Sequence, residues 1–192
     1  MRPTDTDKLD RVKQAAIKTI VNKGYYGATI SQIAAEAKVS DGYLYRHYPN
    51  KAELVKSLFI ENMDTYHNLI LELIEKEDSI ATILKGSIDF LVCTLNEAAE
   101  TILFIFIMDH DFNFDYPLSV KNKFVKIGQK LWAKGIQTGE ISNKRDAEDV
   151  LAICFGIPIK MLELRRKAFF TDEPLSETDI DNMVNICLNA LK

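Results

Sequence analysis

The stretch from Thr29 to Lys51, TISQIAAEAKVSDGYLYRHYPNK, limits what this chain can fold into more than any other part of it. It reads as two short helices joined by a tight turn, the first from Ile30 to about Ala37 and the second from about Asp41 to Tyr48. Thr29 stands where a helix needs a cap. Its hydroxyl can accept from the backbone N–H three residues on, and Gln32 can reach back, which makes a T-x-x-Q capping box. Ile30, Ile33, Ala34 and Ala37 fall on one apolar stripe at helical spacing. Val39 is the only apolar residue of the turn and is expected to plug the angle between the helices, with Ser40 capping the second.

In that second helix, at about 100° per residue, Leu44 and Tyr48 fall on one side and Gly42, Tyr43 and Arg46 roughly opposite. Tyr45 and His47 sit on the flanks. Such a division suits a DNA major groove, with the outer edge facing base edges and each shoulder reaching a phosphate. Gly42 weakens the helix but allows close approach. The competing reading is a plain helical hairpin with a few surface aromatics.

The run GYYGATISQIAAEAKVSDGYLYRHYPNKAELV closely resembles the DNA-binding domain of the tetracycline-repressor (TetR-like) family of bacterial transcription regulators. The G-Y-x-x-A-T-I-x-x-I-A start, the V-S-x-G-x-L-Y-x-H-Y segment and the N-K-x-x-L-V entry to the next helix carry the resemblance, over residues 8 to 60. It implies a three-helix bundle closed by a first helix, and a body whose last two helices pair with their copies as a four-helix bundle. A single recognition helix reads only a few base pairs, so a homodimer on a palindromic operator agrees with that implication.

The remainder of the chain is read from its own pattern. Its 192 residues are 47% hydrophobic, enough for one large or two small domains with a real core. The hydrophobic period is helical almost throughout, which predicts an all-α fold of about nine helices. The expected domains are a DNA-binding head, residues 1–50, and a ligand-binding and dimerisation body, residues 51–192, joined by one continuous helix with no Gly/Ser linker. The net charge of −4 alone argues against nucleic acid, but its distribution does not. Residues 1–51, Arg2 included, hold nine Lys and Arg against five Asp and Glu, a formal +4 that leaves −8 for the rest. A basic head on an acidic body orients the head toward a polyanion.

Along the chain, Asp5 or Thr6 opens the first helix, Leu9, Val12, Ala16 and Ile20 line it, and Gly24 is expected to close it in the left-handed conformation. Asn50 can cap the next helix with Glu53 at its third position. Lys51 lies in that first turn, where its charge opposes the helix dipole, a cost that makes sense if a phosphate sits there. That helix runs to about Lys76 through Leu54, Leu58, Met63, Leu69 and Leu73. Thr101 to Met108 is apolar on all sides and is expected at the centre of the body. In DHDFNFDYP, Asp111, Asn113 and Asp115 have the spacing that opens an EF-hand loop, but Tyr116 stands where Gly is needed and Asn122 where Glu is, so no metal is expected. Lys121, Lys123, Lys126, Lys130 and Lys134 read as a solvated helix face, and Pro158 should kink or end its helix. Ser176 with Asp179 forms a second capping box. Cys93, Cys154 and Cys187 show no C-x-x-C and read as buried free thiols.

No catalytic motif and no cofactor signature occurs, so an enzyme is the weak alternative, and a DNA-binding architectural protein without a ligand is another. The N-terminus does not read as a signal peptide, and the longest apolar run, Ile102 to Met108, is too short to span a bilayer, so a cytoplasmic protein with no membrane partner is expected. The leading expectation is a homodimeric repressor of double-stranded DNA released by a small apolar or amphipathic effector. Asp41, Gly42, Tyr43 and Arg46 are assigned to bases, and Thr29, Ser40, Tyr45, His47 and Lys51 to phosphates. His67, Phe90, Phe104, Met108, Trp132 and Phe155 are candidates to line the effector pocket. Val150, Cys154, Ile157, Met161, Met183, Val184, Cys187 and Leu191 are candidates for the dimer interface.

Overall fold

The computed structural model describes residues 5–192, so Arg2, counted above in the basic excess, lies outside the described residues. Among them there are helices and no strand: α1 Asp5–Gly27, α2 Ile30–Ala37, α3 Asp41–His47, α4 Lys51–Lys76, α5 Ile80–Glu97, α6 Ala99–Asp109, α7 Leu118–Thr138, α8 Ala147–Leu151, α9 Ile157–Arg166 and α10 Glu177–Leu191. A π-helical turn, Ala152–Gly156, joins α8 to α9 without a break, so the described residues hold nine helical runs. The all-α expectation is met. No single helix among them is long and apolar enough to cross a membrane.

The chain divides into two compact units. One contains the residues up to Asp64 together with Thr94–Pro117, the other Thr65–Cys93 with Leu118–Lys192. In the first, α1 packs on α2 and α6, and α2 on α3. Its core includes Val12, Ala16, Ile20, Ile33, Ala34, Leu44, Leu54, Leu58 and Phe59, all buried. The all-apolar segment expected at the centre of the body is α6, and it belongs to this first unit. Ile102, Phe104 and Met108 are buried there, while Leu103, Ile105, Phe106 and Ile107 stay half-buried.

Two helix ends differ from expectation. Gly24 has φ 72° and ψ 165°, not the left-handed helical pair, and this region is open essentially to glycine alone. The left-handed cap falls on Lys38 instead (φ 57°, ψ 46°), where the N–H groups of Lys38 and Val39 donate to Ala35 O at 3.1 Å and Ala34 O at 3.0 Å. That is a Schellman closure of α2, and it sets the tight corner before Ser40. Val39 is half-buried at the corner. In the segment after α6, the Asp111 carboxylate accepts from Asn113 N at 2.9 Å, and Phe114 and Tyr116 pack edge-on against Phe59 at 5.0 and 5.1 Å. The acid spacing there is turn chemistry, and among the described residues no three His, Cys, Asp or Glu side chains gather as a metal site would require.

In the second unit α7 seats on α8 at Gly128, where a Cβ would lie 2.6 Å from Leu151 Cγ and 2.9 Å from Ala147 O. Of the α7 lysines, Lys134 is half-buried. Its ammonium donates to Ile74 O at 2.7 Å and to Glu77 O, closing the C-terminal end of α4. The N-terminal end of α5 is capped from a distance by Glu140, whose carboxylate accepts from Ile80 N at 2.9 Å and Ala81 N at 3.3 Å. Pro158 neither ends nor breaks its helix. The wide turn just before it is where the chain absorbs the missing N–H and the ring's clash with the preceding turn. Asp179 completes the α10 capping box with Ser176 and also takes Arg165 Nη2 at 2.7 Å. The Ser176 backbone and hydroxyl and the Arg165 guanidinium hold its carboxyl at about 2, below the ordinary aspartate value.

Candidate nucleic-acid interface

The turn between α2 and α3 is held by the side chains the sequence marks. Thr29 Oγ1 accepts from Gln32 N at 3.3 Å, and Thr29 N donates to Gln32 Oε1 at 3.3 Å. Ser40 Oγ accepts from Tyr43 N at 3.2 Å. Asp41 takes the Ser31 hydroxyl and so ties the start of α3 to α2.

The two sides of α3 are set differently from the sequence reading. Tyr43 and Leu44 are its buried residues, at 9% and 1% exposure. The Tyr43 hydroxyl donates to Asp5 O at 3.1 Å, its ring lies 4.7 Å from His47, and Lys8 Nζ stands 5.6 Å from the ring centre. Burial, and then the bond to Asp5, push its phenol above the ordinary tyrosine range. Tyr43 therefore fastens α3 to α1 and does not lie on the outer edge. The wheel misled because it counted Tyr48, which has extended backbone (φ −134°, ψ 119°) and stands outside the helix. The exposed edge of α3 consists of Asp41, Gly42, Tyr45 and Arg46, with Tyr45 55% exposed. Nothing comes closer to a Cβ built at Gly42 than Ser40 Oγ at 4.0 Å. His47 is at the end of this edge, its Nε2 4.0 Å from Asp5 Oδ2.

Lys51 also has an inward task. Its ammonium donates to Tyr25 O at 2.6 Å and Ala28 O at 2.8 Å and lies 4.3 Å from the centre of the Tyr25 ring. Burial lowers it below the ordinary lysine range. Two of its three donors close carbonyls at the end of α1, a job that spacing along the sequence does not reveal. Asn50 caps α4 by accepting from Glu53 N at 2.9 Å.

The six pocket candidates do not gather into one place. Phe104 and Met108 are buried in the first unit, and Trp132 is 37% exposed with Nε1 donating to Arg145 O at 2.8 Å. His67, Phe90 and Phe155 do meet in the second unit, through two residues the sequence reading missed. Tyr66 stacks on Phe90 at 5.8 Å and meets Phe155 edge-on at 6.1 Å, while Phe124 lies 4.9 Å from Phe155 and 5.5 Å from His67. The Tyr66 and Ser87 hydroxyls share a buried hydrogen bond of 2.7 Å. Burial pushes the Tyr66 phenol up. The stripe Met63, Tyr66, Ile70, Ile74, at strict helical spacing, was the available signal; Leu69 and Leu73 on the neighbouring track are only half-buried.

Of the dimer candidates, Val150, Cys154, Met183, Val184, Cys187 and Leu191 are buried in the single chain's own core. Ile157 and Met161 are half-buried, and Ile186 on α10 is exposed. Burial raises the Cys154 thiol and pushes Cys187 up to about 11, whereas Cys93 is exposed.

Residues 14–58, which contain α2, α3 and the turn between them, match the family described as bacterial regulatory proteins, tetR family. The HTH-type transcriptional regulator YvkB of Bacillus subtilis is 29% identical over 177 residues, 85% of this chain and 86% of its own. The fatty acid metabolism regulator protein of B. subtilis is 26% identical over 78% of each chain. Among solved structures, the fatty acid degradation regulator FadR of Bacillus halodurans has a TM-score of 0.80 at 21% identity, over 96% of this chain and 100% of that one. FadR of B. subtilis in complex with stearoyl-CoA has 0.77 at 22%, over 95% and 97%. AibR in complex with isovaleryl coenzyme A and operator DNA has 0.73 at 19%, over 93% and 97%. These structures share the fold. The helix-turn-helix of α2 and α3 lies within the segment that matches the tetR family of bacterial regulatory proteins, and over most of its length the chain is similar to an HTH-type transcriptional regulator.

Proposed function

We propose that the chain is a repressor that binds a palindromic operator as a homodimer and leaves it when an amphipathic effector of the fatty acyl–coenzyme A type binds its body. The observation that carries the DNA half is the split of α3, in which Tyr43 and Leu44 anchor inward while Gly42, Tyr45 and Arg46 face outward. Gly42 admits the groove wall, Arg46 supplies paired donors for a guanine edge, and Tyr45 lies between them. Thr29 and Ser40 use their oxygens as caps and keep a hydroxyl proton for a phosphate, with His47 and the remaining donor of Lys51 beside them. Asp41 shapes the start of the helix. The head, residues 1–50, carries this work, and residues 51–192 carry dimerisation and effector binding.

Partner contact on the body falls to the half-buried and exposed residues Ile157, Met161, Leu164 and Ile186, not to the buried ones beside them. The effector half is supported by the rings of Tyr66, Phe90, Phe124 and Phe155 packed beside one polar pair, side chains of the kind that would contact an acyl chain. It is supported too by the acyl-coenzyme A ligands of the FadR and AibR structures.

Selection of bound sequences from random DNA tests the first half. An inverted repeat is expected, and Arg46→Ala should change which half-site is preferred, whereas Tyr43→Phe should cost stability without changing it. Absence of any enriched repeat at low ionic strength would sink the reading. For the second half, stearoyl-CoA should release the operator where coenzyme A alone does not.

A further inference from the structure

We propose that the segment between α9 and α10 is a self-complementary clasp that closes on the same segment of a second copy of this chain. The inference rests on the homodimer reading above and adds to it a contact outside the helices.

At the end of α9, Ala168 adopts φ 50°, and the N–H groups of Ala168 and Phe169 donate to Arg165 O at 2.9 Å and Leu164 O at 3.1 Å. This closure turns the next two side chains away from the core: Phe169 is 64% exposed and Phe170 90%. The return of the chain is fixed by Arg165, whose guanidinium donates to Glu173 O at 3.1 Å and to Asp179 at 2.7 Å. Two neighbouring phenyl rings are thus held out in water on an anchored loop, an arrangement typical of aromatic interface anchors.

The order of charges around them selects the occupant. The run is Arg166, Lys167, Ala168, Phe169, Phe170, Thr171, Asp172, Glu173. Its charges are antisymmetric about the Phe169–Phe170 bond. An antiparallel pairing of two copies about a two-fold axis there sets Arg166 opposite Glu173, Lys167 opposite Asp172, and Phe169 opposite Phe170. All four charged residues are exposed, and among the described residues none of the four takes part in an ion pair. An isologous contact requires a patch complementary to itself, and this run is one. An anionic lipid surface would attract only its first half and repel its second.

The test is sedimentation equilibrium of the full chain with two charge reversals, Arg166→Glu with Lys167→Glu, and Asp172→Lys with Glu173→Lys. Each variant alone should dimerise at least about tenfold more weakly, because four opposed pairs become like-charged. An equimolar mixture, or one chain carrying all four changes, should return to within about threefold of the original, since opposite signs then face each other again. Recovery in the mixture excludes misfolding as the cause of the loss. A parent chain that stays monomeric at micromolar concentration removes the homodimer reading and the clasp with it. A parent dimer that neither reversal weakens removes the clasp alone. Binding of the parent to phosphatidylglycerol vesicles, abolished by Phe169→Ser with Phe170→Ser at unchanged dimer affinity, would make the loop a membrane anchor and overturn the proposal.

Discussion

The helix-turn-helix closes its helices with near neighbours, whereas the second unit, besides local caps at Ser79, Asp146 and Ser176, closes two helix ends from far along the chain. In the first, the caps at Thr29, Ser40 and Asn50 act on a backbone N–H three residues away. In the second, α5 is capped by Glu140 and α4 by Lys134, each across a gap of 60 residues. A short-range cap is part of a local motif, so the corner it defines forms wherever the motif occurs. A long-range cap exists only once distant segments are in place, so it holds the unit's arrangement together as well as a helix end. The first unit has one long-range cap of its own, Lys51, which reaches back 26 and 23 residues.

The contrast gives graded predictions. Glu140→Ala leaves Ile80 N, Ala81 N and the Thr138 hydroxyl without their acceptor and should cost about 2–3 kcal/mol by denaturant unfolding. Ser40→Ala should cost about 1 kcal/mol, and equal losses would erase the distinction. Next, Lys51→Met should lower stability by about 2 kcal/mol, weaken binding to every DNA sequence alike and lower the slope of log K against log salt by about one. An unchanged slope would leave the lysine with its inward task alone. The smallest effect is in pH. The Asp179 carboxyl is held at about 2 against an ordinary 3.8, so the unfolded chain takes up that proton first. Its stabilisation is complete above pH about 4 and is lost as pH falls toward 2, and Asp179→Asn should flatten that part of the melting-temperature profile.

The same contrast explains what could be read from the residues. The capping boxes at Thr29 and Ser176, the corner at Val39 and the helical period needed only near neighbours, and all are present. Lys134 looks like one more solvated lysine, and the inward bonds of Lys51 stay hidden beside its expected phosphate role, because the carbonyls they close are far away in the chain. Tyr43 reads as an outer residue but is buried, while Tyr45 is exposed, because one non-helical residue, Tyr48, tilts the wheel. Phe104 and Met108 were grouped with the body by residue type, and only the fold assigns α6 to the first unit.

The wide turn before Pro158 has a further consequence. It stores one residue more than a regular turn would, so everything from Ile157 to Arg166 is rotated by about 100° from where an uninterrupted helix would aim it. The proline ring cannot fit against a carbonyl in the tighter geometry. It therefore works as a pawl: the register is clicked forward by one position and kept from slipping back, and the direction in which Ile157, Met161 and Leu164 point is set at this turn.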